Sequence, residues 1–220
     1  MQIVGFVILA VLALAAVYVF LFRPWHRRWG ATNQEVAGRM PGDEMVPGAN
    51  LQTTRAITIQ TPPEAVWPWL VQLGQGRGGF YSYDLLENMM GLDIQSATRI
   101  RPELQGLQVG DRISLEPGGG GYAVAELEPN RHLVLFTEGA GESELDEVFR
   151  KANAASTWTF LLEPLDDGEC TRLGVRWRAR WDLLSSPMSF LIGIMLDPIE
   201  FVMERKMLRG IKQRAEAVGQ

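Results

Sequence analysis

The fold is decided by the stretch Arg55-Ala-Ile-Thr-Ile-Gln-Thr-Pro-Pro-Glu-Ala-Val-Trp-Pro-Trp-Leu70. Up to Gln60 the residues alternate, with isoleucines on one face, which predicts a β-strand. The next four residues have the features of a helix start: a possible cap at Thr61, proline in the first turn and an early acid. Apolar residues at offsets of three and four predict that this helix continues to about Leu73, with a kink at Pro68.

The remainder of the chain also divides into predicted helices, strands and turns. A glycine-rich turn over 74–79 precedes a short helix from Tyr83 to Met90, and five strands separated by turn residues follow between 110 and 181. The polar stretch from Gly139 to Asn153 fits a long loop or a short helix. Apolar residues at helical spacing then predict one long helix from about Pro187 to Val218. Strand, two helices, five strands and a long helix indicate an α+β fold with a mainly antiparallel sheet.

Two stretches resemble a known superfamily. The opening strand and helix, with Arg55-Ala-Ile-Thr-Ile59 and Pro63-Glu-Ala-Val-Trp-Pro-Trp-Leu70, look like those of START-like or SRPBCC proteins, which include polyketide cyclases, lipid-transfer domains and birch-pollen-allergen-like proteins. The run Gln72-Leu-Gly-Gln-Gly-Arg-Gly-Gly-Phe-Tyr-Ser-Tyr-Asp84 resembles a membrane-anchored or uncharacterised subgroup. The resemblance covers roughly residues 51–218. It implies a helix-grip fold, in which a curved antiparallel sheet wraps around the C-terminal helix and leaves a cavity for a hydrophobic ligand, with no fixed catalytic residues.

The first 22 residues differ from the rest of the chain. No charge occurs from Ile3 to Phe22, and twenty residues are long enough to cross the hydrocarbon core of a bilayer. A secretory signal peptide is the alternative, with Ala13-Leu-Ala15 as a possible cleavage site, but nothing basic precedes the apolar run and the run continues past that site. We predict a transmembrane anchor at 1–22, a juxtamembrane linker at 23–50 and one helix-grip domain at 51–220.

The residues after the anchor predict its orientation. Arg23, Arg27 and Arg28 follow the span, and arginine near the end of a span favours the cytoplasmic side. Trp25 and Trp29 suit the headgroup layer of the membrane. We therefore expect a single-pass protein whose soluble domain faces the cytoplasm and, from about residue 30 onward, folds without the anchor.

Composition excludes several function classes. The net charge of −5 gives no electrostatic case for nucleic-acid binding. One cysteine, Cys170, excludes an intramolecular disulfide and a multi-cysteine metal site, and two isolated histidines, His26 and His132, make a poor metal site. We expect no metal and no cofactor.

Bulky apolar side chains are the candidates for lining the implied cavity. The candidates are Trp67, Phe80, Tyr81, Trp158, Phe160, Trp177, Trp181, Phe190 and Ile194. Each of them fits a filled core equally well, because the sequence does not distinguish a packed interior from a lined hole.

Three further patterns have both a functional and a structural interpretation. Gly74, Gly76 and Gly79 match the letters of a dinucleotide-binding loop, but they follow a helix where that loop follows a strand, so they indicate a turn that could also bring Phe80 and Tyr81 over a cavity mouth. Asp84 and Glu87 share one helical face and would suit acid–base chemistry in a cavity, although a solvated helix face explains the same spacing.

The third pattern is a stripe of four arginines on the last predicted strand. Because side chains alternate along a strand, the apolar residues between them should face the core. The arginines should lie on the solvated face, away from the long helix. Anionic lipid headgroups would bind such a stripe, and cross-strand pairing with a residue such as Glu163 is the structural alternative. The four residues are Arg172, Arg176, Arg178 and Arg180.

Three functions fit these observations. The first is a binding domain, without catalysis, for a lipid or another hydrophobic small molecule at the membrane. The second is a cyclase or dehydratase type of enzyme that acts on an apolar substrate. The third is a protein-interaction module with a vestigial cavity. A buried polar pair opposite the aromatic wall would favour the enzyme, and an entirely apolar cavity would favour binding.

Overall fold

The computed structural model describes residues 2–181 and 187–218, and the side chains at 2–4, 8, 11, 187–196 and 218 are outside that description. One six-stranded antiparallel sheet has the spatial order β1-β6-β5-β4-β3-β2. Its strands are β1 (Leu51–Ile59), β2 (Arg112–Ser114), β3 (Gly121–Glu128), β4 (His132–Thr137), β5 (Ala155–Leu165) and β6 (Cys170–Arg180).

Seven α-helices occur in the described residues. They are α1 (Gln2–Val17), α2 (Arg23–Arg27), α3 (Asn33–Ala37), α4 (Pro63–Val71), α5 (Asp84–Met89), α6 (Glu144–Lys151) and α7 (Pro187–Val218). The long helix has the predicted bounds, and Gly139–Asn153 contains a short helix that Ser143 caps through a bond from the backbone N–H of Asp146. The predicted cap at Thr61 is wrong, since α4 starts after Pro62 with no side-chain cap.

One face of the sheet packs against α4 and α7. Strand residues of that face, such as Ile59, Phe160 and Val175, form a single core cluster with Leu70 of α4 and Leu208 of α7. A curved antiparallel sheet on a long C-terminal helix is the helix-grip arrangement, so the predicted α+β fold class is confirmed.

The opposite face of the sheet is covered by the segment that was predicted as a linker. Arg176 is only 2% exposed and donates to the backbone carbonyls of Glu35, Val36 and Gly38 and to the carboxylate of Asp43. The arginine stripe faces away from α7 as predicted, but the expectation that this face is solvated is wrong for Arg176. A guanidinium with five donors can hold several carbonyls of an irregular segment at once.

Arg172 holds the same segment. It donates to both carboxylate oxygens of Glu35, at 2.6 and 3.0 Å, and to the carbonyl of Gly30 at 2.6 Å. Glu163 lies opposite Arg172 in the β5–β6 register, yet the ion pair forms with Glu35. The partner of this arginine is therefore a residue from before the sheet and not its cross-strand neighbour.

The N-terminal helices lead directly into the folded part of the chain. The stretch Gly5–Arg27 is long and apolar enough to cross a membrane, by length and composition. At its end α2 meets α7, where Arg23 donates to Asp197 at 2.6 Å and Arg27 lies 3.3 Å from the same carboxylate. The backbone carbonyl of Trp29 accepts a hydrogen bond from Ala56 of β1.

Candidate functional site

A cavity of about 290 Å³ lies between the sheet and α7. Most of its wall is apolar or aromatic, and four polar side chains interrupt it. The apolar and aromatic residues are Phe80, Met90, Leu92, Leu115, Tyr122, Trp158, Trp177, Met203 and Met207, and the polar residues are Ser82, Glu87, Glu200 and Glu204. Met90 lines the cavity and is also 62% exposed, so the cavity reaches the surface beside α5.

Three of the nine candidate residues line this cavity. Phe80, Trp158 and Trp177 come from the glycine-rich turn, β5 and β6, and the rings of Phe80 and Trp158 have their centroids 6.3 Å apart. Trp177 donates through its indole N–H to the hydroxyl of Tyr122 at 3.0 Å, which fixes the orientation of both rings. Phe190 and Ile194 lie on the part of α7 whose side chains are outside the description.

The other four candidates lie elsewhere. Trp67 and Phe160 pack inside the core cluster. Tyr81 is buried behind the cavity wall, where its hydroxyl donates to the carbonyl of Trp69 at 3.0 Å. Trp181 packs on Phe149 in a separate small cluster, with ring centroids 5.3 Å apart.

The glycine-rich turn is a structural element that positions one cavity residue. Gly74 and Gly79 exchange two backbone hydrogen bonds of 3.0 Å, which closes a tight loop. A side chain at Gly79 is excluded, because its φ is +70° and a Cβ atom would lie 2.8 Å from the backbone of Ser96. The loop delivers Phe80 to the cavity, but it turns Tyr81 into the protein.

One end of the cavity is closed by an ion cluster in which Arg55 and Glu204 are buried and Glu200 is partly exposed. Arg55 is fully buried, and its Nη1 and Nη2 atoms donate to the two carboxylate oxygens of Glu200 at 2.6 and 2.7 Å. Nη1 of Arg55 also contacts Glu204, and Nε donates to the backbone carbonyl of His26 at 2.8 Å. The second carboxylate oxygen of Glu204 accepts from the indole N–H of Trp158 at 3.1 Å.

The electrostatics of this cluster follow from two carboxylates sharing one guanidinium. Burial raises the pKa of Glu200, the like charge of Glu204 raises it further, and Arg55 opposes both effects. Burial on its own would lower the pKa of Arg55, but Glu204 and Glu200 raise it above its ordinary value. The guanidinium therefore stays charged, and every described donor on it is directed at a carboxylate or a carbonyl.

Glu87 stands apart from this cluster. Only 5% of the residue is exposed, and its Oε2 atom is buried with no hydrogen-bond partner among the described residues. Burial, followed by the nearby charge of Asp84, raises the pKa of Glu87 to about 7. The solvated-face interpretation of the Asp84 and Glu87 pair is therefore wrong for Glu87, whereas Asp84 accepts hydrogen bonds from the N–H and hydroxyl of Ser96.

Tyr122 places a hydroxyl group at the cavity wall. Its oxygen lies 2.9 Å from the hydroxyl of Ser156 and accepts from Trp177. Burial raises the pKa of Tyr122, so the phenol keeps its proton at neutral pH. Among the described residues that line the cavity there are three glutamates and no lysine, arginine or histidine.

Sequence reasoning singled out Glu87 but missed Arg55, Glu200 and Glu204. A signal for Arg55 was present, because a period of two places it on the same strand face as Ile57 and Ile59, where an unpaired charge would be costly. Glu200 and Glu204 are four apart and share one helix face. In the described part of the chain no group of three His, Cys, Asp or Glu side chains is arranged to hold a metal ion.

Comparisons with known proteins identify no family for this chain. No protein-family model and no curated protein matches the chain. Among solved structures, protein MLL2253 from Mesorhizobium loti is 19% identical, with coverage of 76% of this chain and 98% of that chain at a TM-score of 0.42. Ara h 8.0201 is 11% identical (76% and 98%, TM-score 0.41), and CalU16 from Micromonospora echinospora is 14% identical (76% and 84%, TM-score 0.33). The fold and the site described above therefore rest on the contacts within this chain.

Proposed function

We propose that this protein is a membrane-tethered binding domain for a small hydrophobic molecule, which it holds in the cavity between the sheet and α7. The observation that carries the proposal is the cavity itself, whose wall is formed mainly by apolar and aromatic side chains, among them the rings of Phe80, Trp158 and Trp177. A void of this kind loses packing contacts when it is empty, and an apolar ligand restores them.

The volume of the cavity limits the size of the ligand that it can hold. Small-molecule pockets range from about 300 to 1,000 Å³, and 290 Å³ lies at the lower end of that range. A short chain or a single ring system therefore fits better than a lipid with two acyl chains. Each buried methylene contributes about 0.8 kcal/mol, so a chain of about eight gains roughly 6 kcal/mol. The cost of immobilising the ligand reduces this gain, so we expect a dissociation constant no tighter than tens of micromolar.

The position of the cavity mouth supports a membrane source for the ligand. On α5, Leu85 and Met89 are 75% and 77% exposed, and they flank the opening at Met90. In a chain anchored through residues 1–22, the bilayer is the nearest apolar phase for such residues. The arginines that follow the span, Arg23, Arg27 and Arg28, favour a cytoplasmic position for the domain. In this proposal residues 51–220 form the binding domain, and 23–50 connect it to the anchor while covering the outer face of its sheet.

Titration of the full chain in nanodiscs with short n-alkanols, followed by tryptophan fluorescence, tests the proposal. We expect saturable binding that Trp177→Ala weakens at least fivefold, because this substitution removes part of the cavity wall. Trp181→Ala is the matched control, since Trp181 packs on Phe149 outside the cavity, and it should leave the affinity unchanged. No saturable binding, or equal effects of the two variants, would overturn the proposal and favour the interaction module.

One observation favours the enzyme as a second candidate. A carboxyl group with a pKa near 7 in an apolar cavity, as at Glu87, can both accept and donate a proton at neutral pH. Incubation of the wild-type and Glu87→Gln proteins with a membrane extract, followed by mass spectrometry, tests this candidate. A compound that the wild type consumes and the variant does not would support an enzyme. Identical compositions of the two extracts would contradict the enzyme, and binding would be the remaining function.

A further inference from the structure

We infer that the cavity takes an apolar molecule that carries a protonated amine, with the ammonium group paired to the carboxylate of Glu87. The inference rests on the proposed function and adds the chemical class of the ligand. Of the three carboxylates that line the cavity, two have hydrogen-bond partners within the protein, and the third has a buried oxygen without one.

Glu200 and Glu204 have their partners inside the protein. Both oxygens of Glu200 accept from Arg55, and the oxygens of Glu204 accept from Arg55 and from Trp158. Glu87 has none of these bonds, and its Oε2 atom is buried without a partner in the described residues. A buried carboxylate that the fold leaves unpaired is costly, so a donor supplied from outside the chain gains a full hydrogen bond there.

The negative charge of the cavity favours a ligand whose donor group is positively charged. The described lining of the cavity contains three glutamates and no basic side chain, and the guanidinium of Arg55 at the end of the cavity is already engaged by Glu200 and Glu204. Two carboxylates and one guanidinium leave one negative charge, to which ionised Glu87 adds another. An anionic ligand such as a fatty acid would be repelled, and a cationic one would be attracted.

The aromatic wall suits an organic cation in particular. Trp158 lies between Phe80 and Tyr122, with ring centroids 6.3 and 6.1 Å away, so several π faces border one small space. Aromatic faces attract ammonium groups, and they do so most strongly when water is excluded. Among the described residues no three potential metal ligands come together, so the aromatic walls favour an organic cation over a metal ion. An alkyl or aryl ammonium satisfies the carboxylate, the rings and the apolar walls together.

Three probes of equal chain length test the inference at pH 8: n-octylamine, n-octanol and sodium octanoate. Each is titrated against the full chain in zwitterionic nanodiscs by calorimetry, with empty nanodiscs as the reference. We expect octylammonium to bind at least tenfold more tightly than octanol, and octanoate to bind most weakly. This comparison needs no variant and therefore does not depend on the folding of one.

The same three titrations of the Glu87→Gln variant are the second part of the test. The substitution keeps the size of the side chain and removes its charge, so we expect the preference for octylammonium over octanol to fall at least tenfold. Glu103→Gln is the matched control, because Glu103 is exposed and does not line the cavity, and it should keep the full preference.

The outcomes separate the two proposals. If octanol binds saturably but octylammonium is not preferred, or if Glu87→Gln keeps the preference, the ligand class is wrong and the binding function stands. If octanoate binds best, the ligand class is likewise wrong. If none of the three probes binds, both the ligand class and the binding function are overturned.

Discussion

Arg55 of β1 and Glu200 of α7 form a bidentate ion pair with N–O distances of 2.6 and 2.7 Å. The two residues are 145 positions apart in the chain. This pair joins the first strand to the C-terminal helix at the end of the cavity. Charge-assisted bonds of this geometry are among the strongest in proteins. The pair thus holds the two layers that enclose the site in a fixed relation.

Removal of the guanidinium should destabilise the fold strongly. Arg55→Met leaves Glu200 and Glu204 next to each other without their shared cation, and breaking a buried pair in this way costs about 3–5 kcal/mol. We expect urea unfolding of the full chain in detergent to show a loss of that size. The triple variant with Glu200→Gln and Glu204→Gln should recover most of it, because no charge is then left unpaired. A loss below about 1 kcal/mol in Arg55→Met would contradict the structural role of the pair.

Replacement of the unpaired carboxylate should stabilise the ligand-free protein. Glu87 has a pKa of about 7 in the folded state, above its ordinary value of 4.5. With a raised folded-state pKa, the protonated form stabilises the protein at low pH, and this contribution is lost as pH rises from 4.5 through 7. Asp84 raises the pKa from the same helix, and Glu200 and Glu204 contribute further negative charge to the same cavity.

Glu87→Gln should therefore unfold at a higher temperature than wild type at pH 8, by an amount equivalent to about 1–2 kcal/mol, and equally with wild type at pH 4. Thermal melts at both pH values measure the difference. Equal stability at pH 8 would mean that Glu87 is well solvated. Greater stability combined with weaker amine binding would identify Glu87 as a residue kept for function at a cost in stability.

A methyl group at Gly210 should disrupt the contact between α7 and the loop after α4. A Cβ atom there would lie 2.3 Å from the carbonyl oxygen of Tyr81, closer than any normal contact. Alanine is the better helix former by about 1 kcal/mol, but we expect the clash to dominate and Gly210→Ala to lose about 1–3 kcal/mol. Gly106→Ala is the control, since nothing lies within 4 Å of the added atom. A stabilised Gly210→Ala would show that the loop yields at little cost.

The ion pair between Glu35 and Arg172 should hold segment 30–46 on the sheet. The hydrogen bond from Arg172 lowers the pKa of Glu35 to about 2, and bonds from Thr32 add to this effect while burial opposes it. A lowered folded-state pKa means that the stabilisation is present above the ordinary value of 4.5 and is lost as pH falls through 2. We expect Glu35→Gln to lose about 1 kcal/mol at pH 7, and to differ less from wild type at pH 2.5.

Glu163→Gln is the control for this ion pair, because Glu163 faces Arg172 across the strands without bonding to it. Urea unfolding at both pH values measures the two variants. A larger loss in Glu163→Gln than in Glu35→Gln would restore the cross-strand pairing as the main partner of Arg172.

The orientation of the anchor is open to a direct test. A reporter that becomes active only in an oxidising compartment, fused after Gln220, should remain silent if the domain is cytoplasmic. The same reporter fused before residue 1 should be active and serves as the control. A strong signal from the C-terminal fusion would reverse the orientation, and a missing N-terminus in that protein would indicate a cleaved signal peptide.

Local patterns determined much of this protein without the structure. The alternation around Ile57 predicts β1, and the spacing of apolar residues predicts α7 from Pro187 to Val218, because periods of two and 3.6 depend only on backbone geometry. The same alternation places Trp177 on the inner face of β6 and the arginines on the outer face. Proline at the start of α4 also has a purely local cause, since the first turn of a helix needs no N–H from it.

Tertiary structure alone decided which distant groups meet. Nothing in the neighbourhood of Arg55 identifies Glu200 as its partner, and Arg172 has an acid directly across the sheet yet pairs with Glu35 from a segment without regular periodicity. The burial of Glu87 is a further case, because a carboxylate on a short helix is expected in solvent unless the packing of distant elements encloses it. Periodicity specifies the face on which a side chain lies. What covers that face depends on the packing of the whole chain. For the same reason, the sequence predicted an apolar cavity, and only the tertiary structure showed that it contains an unpaired carboxylate.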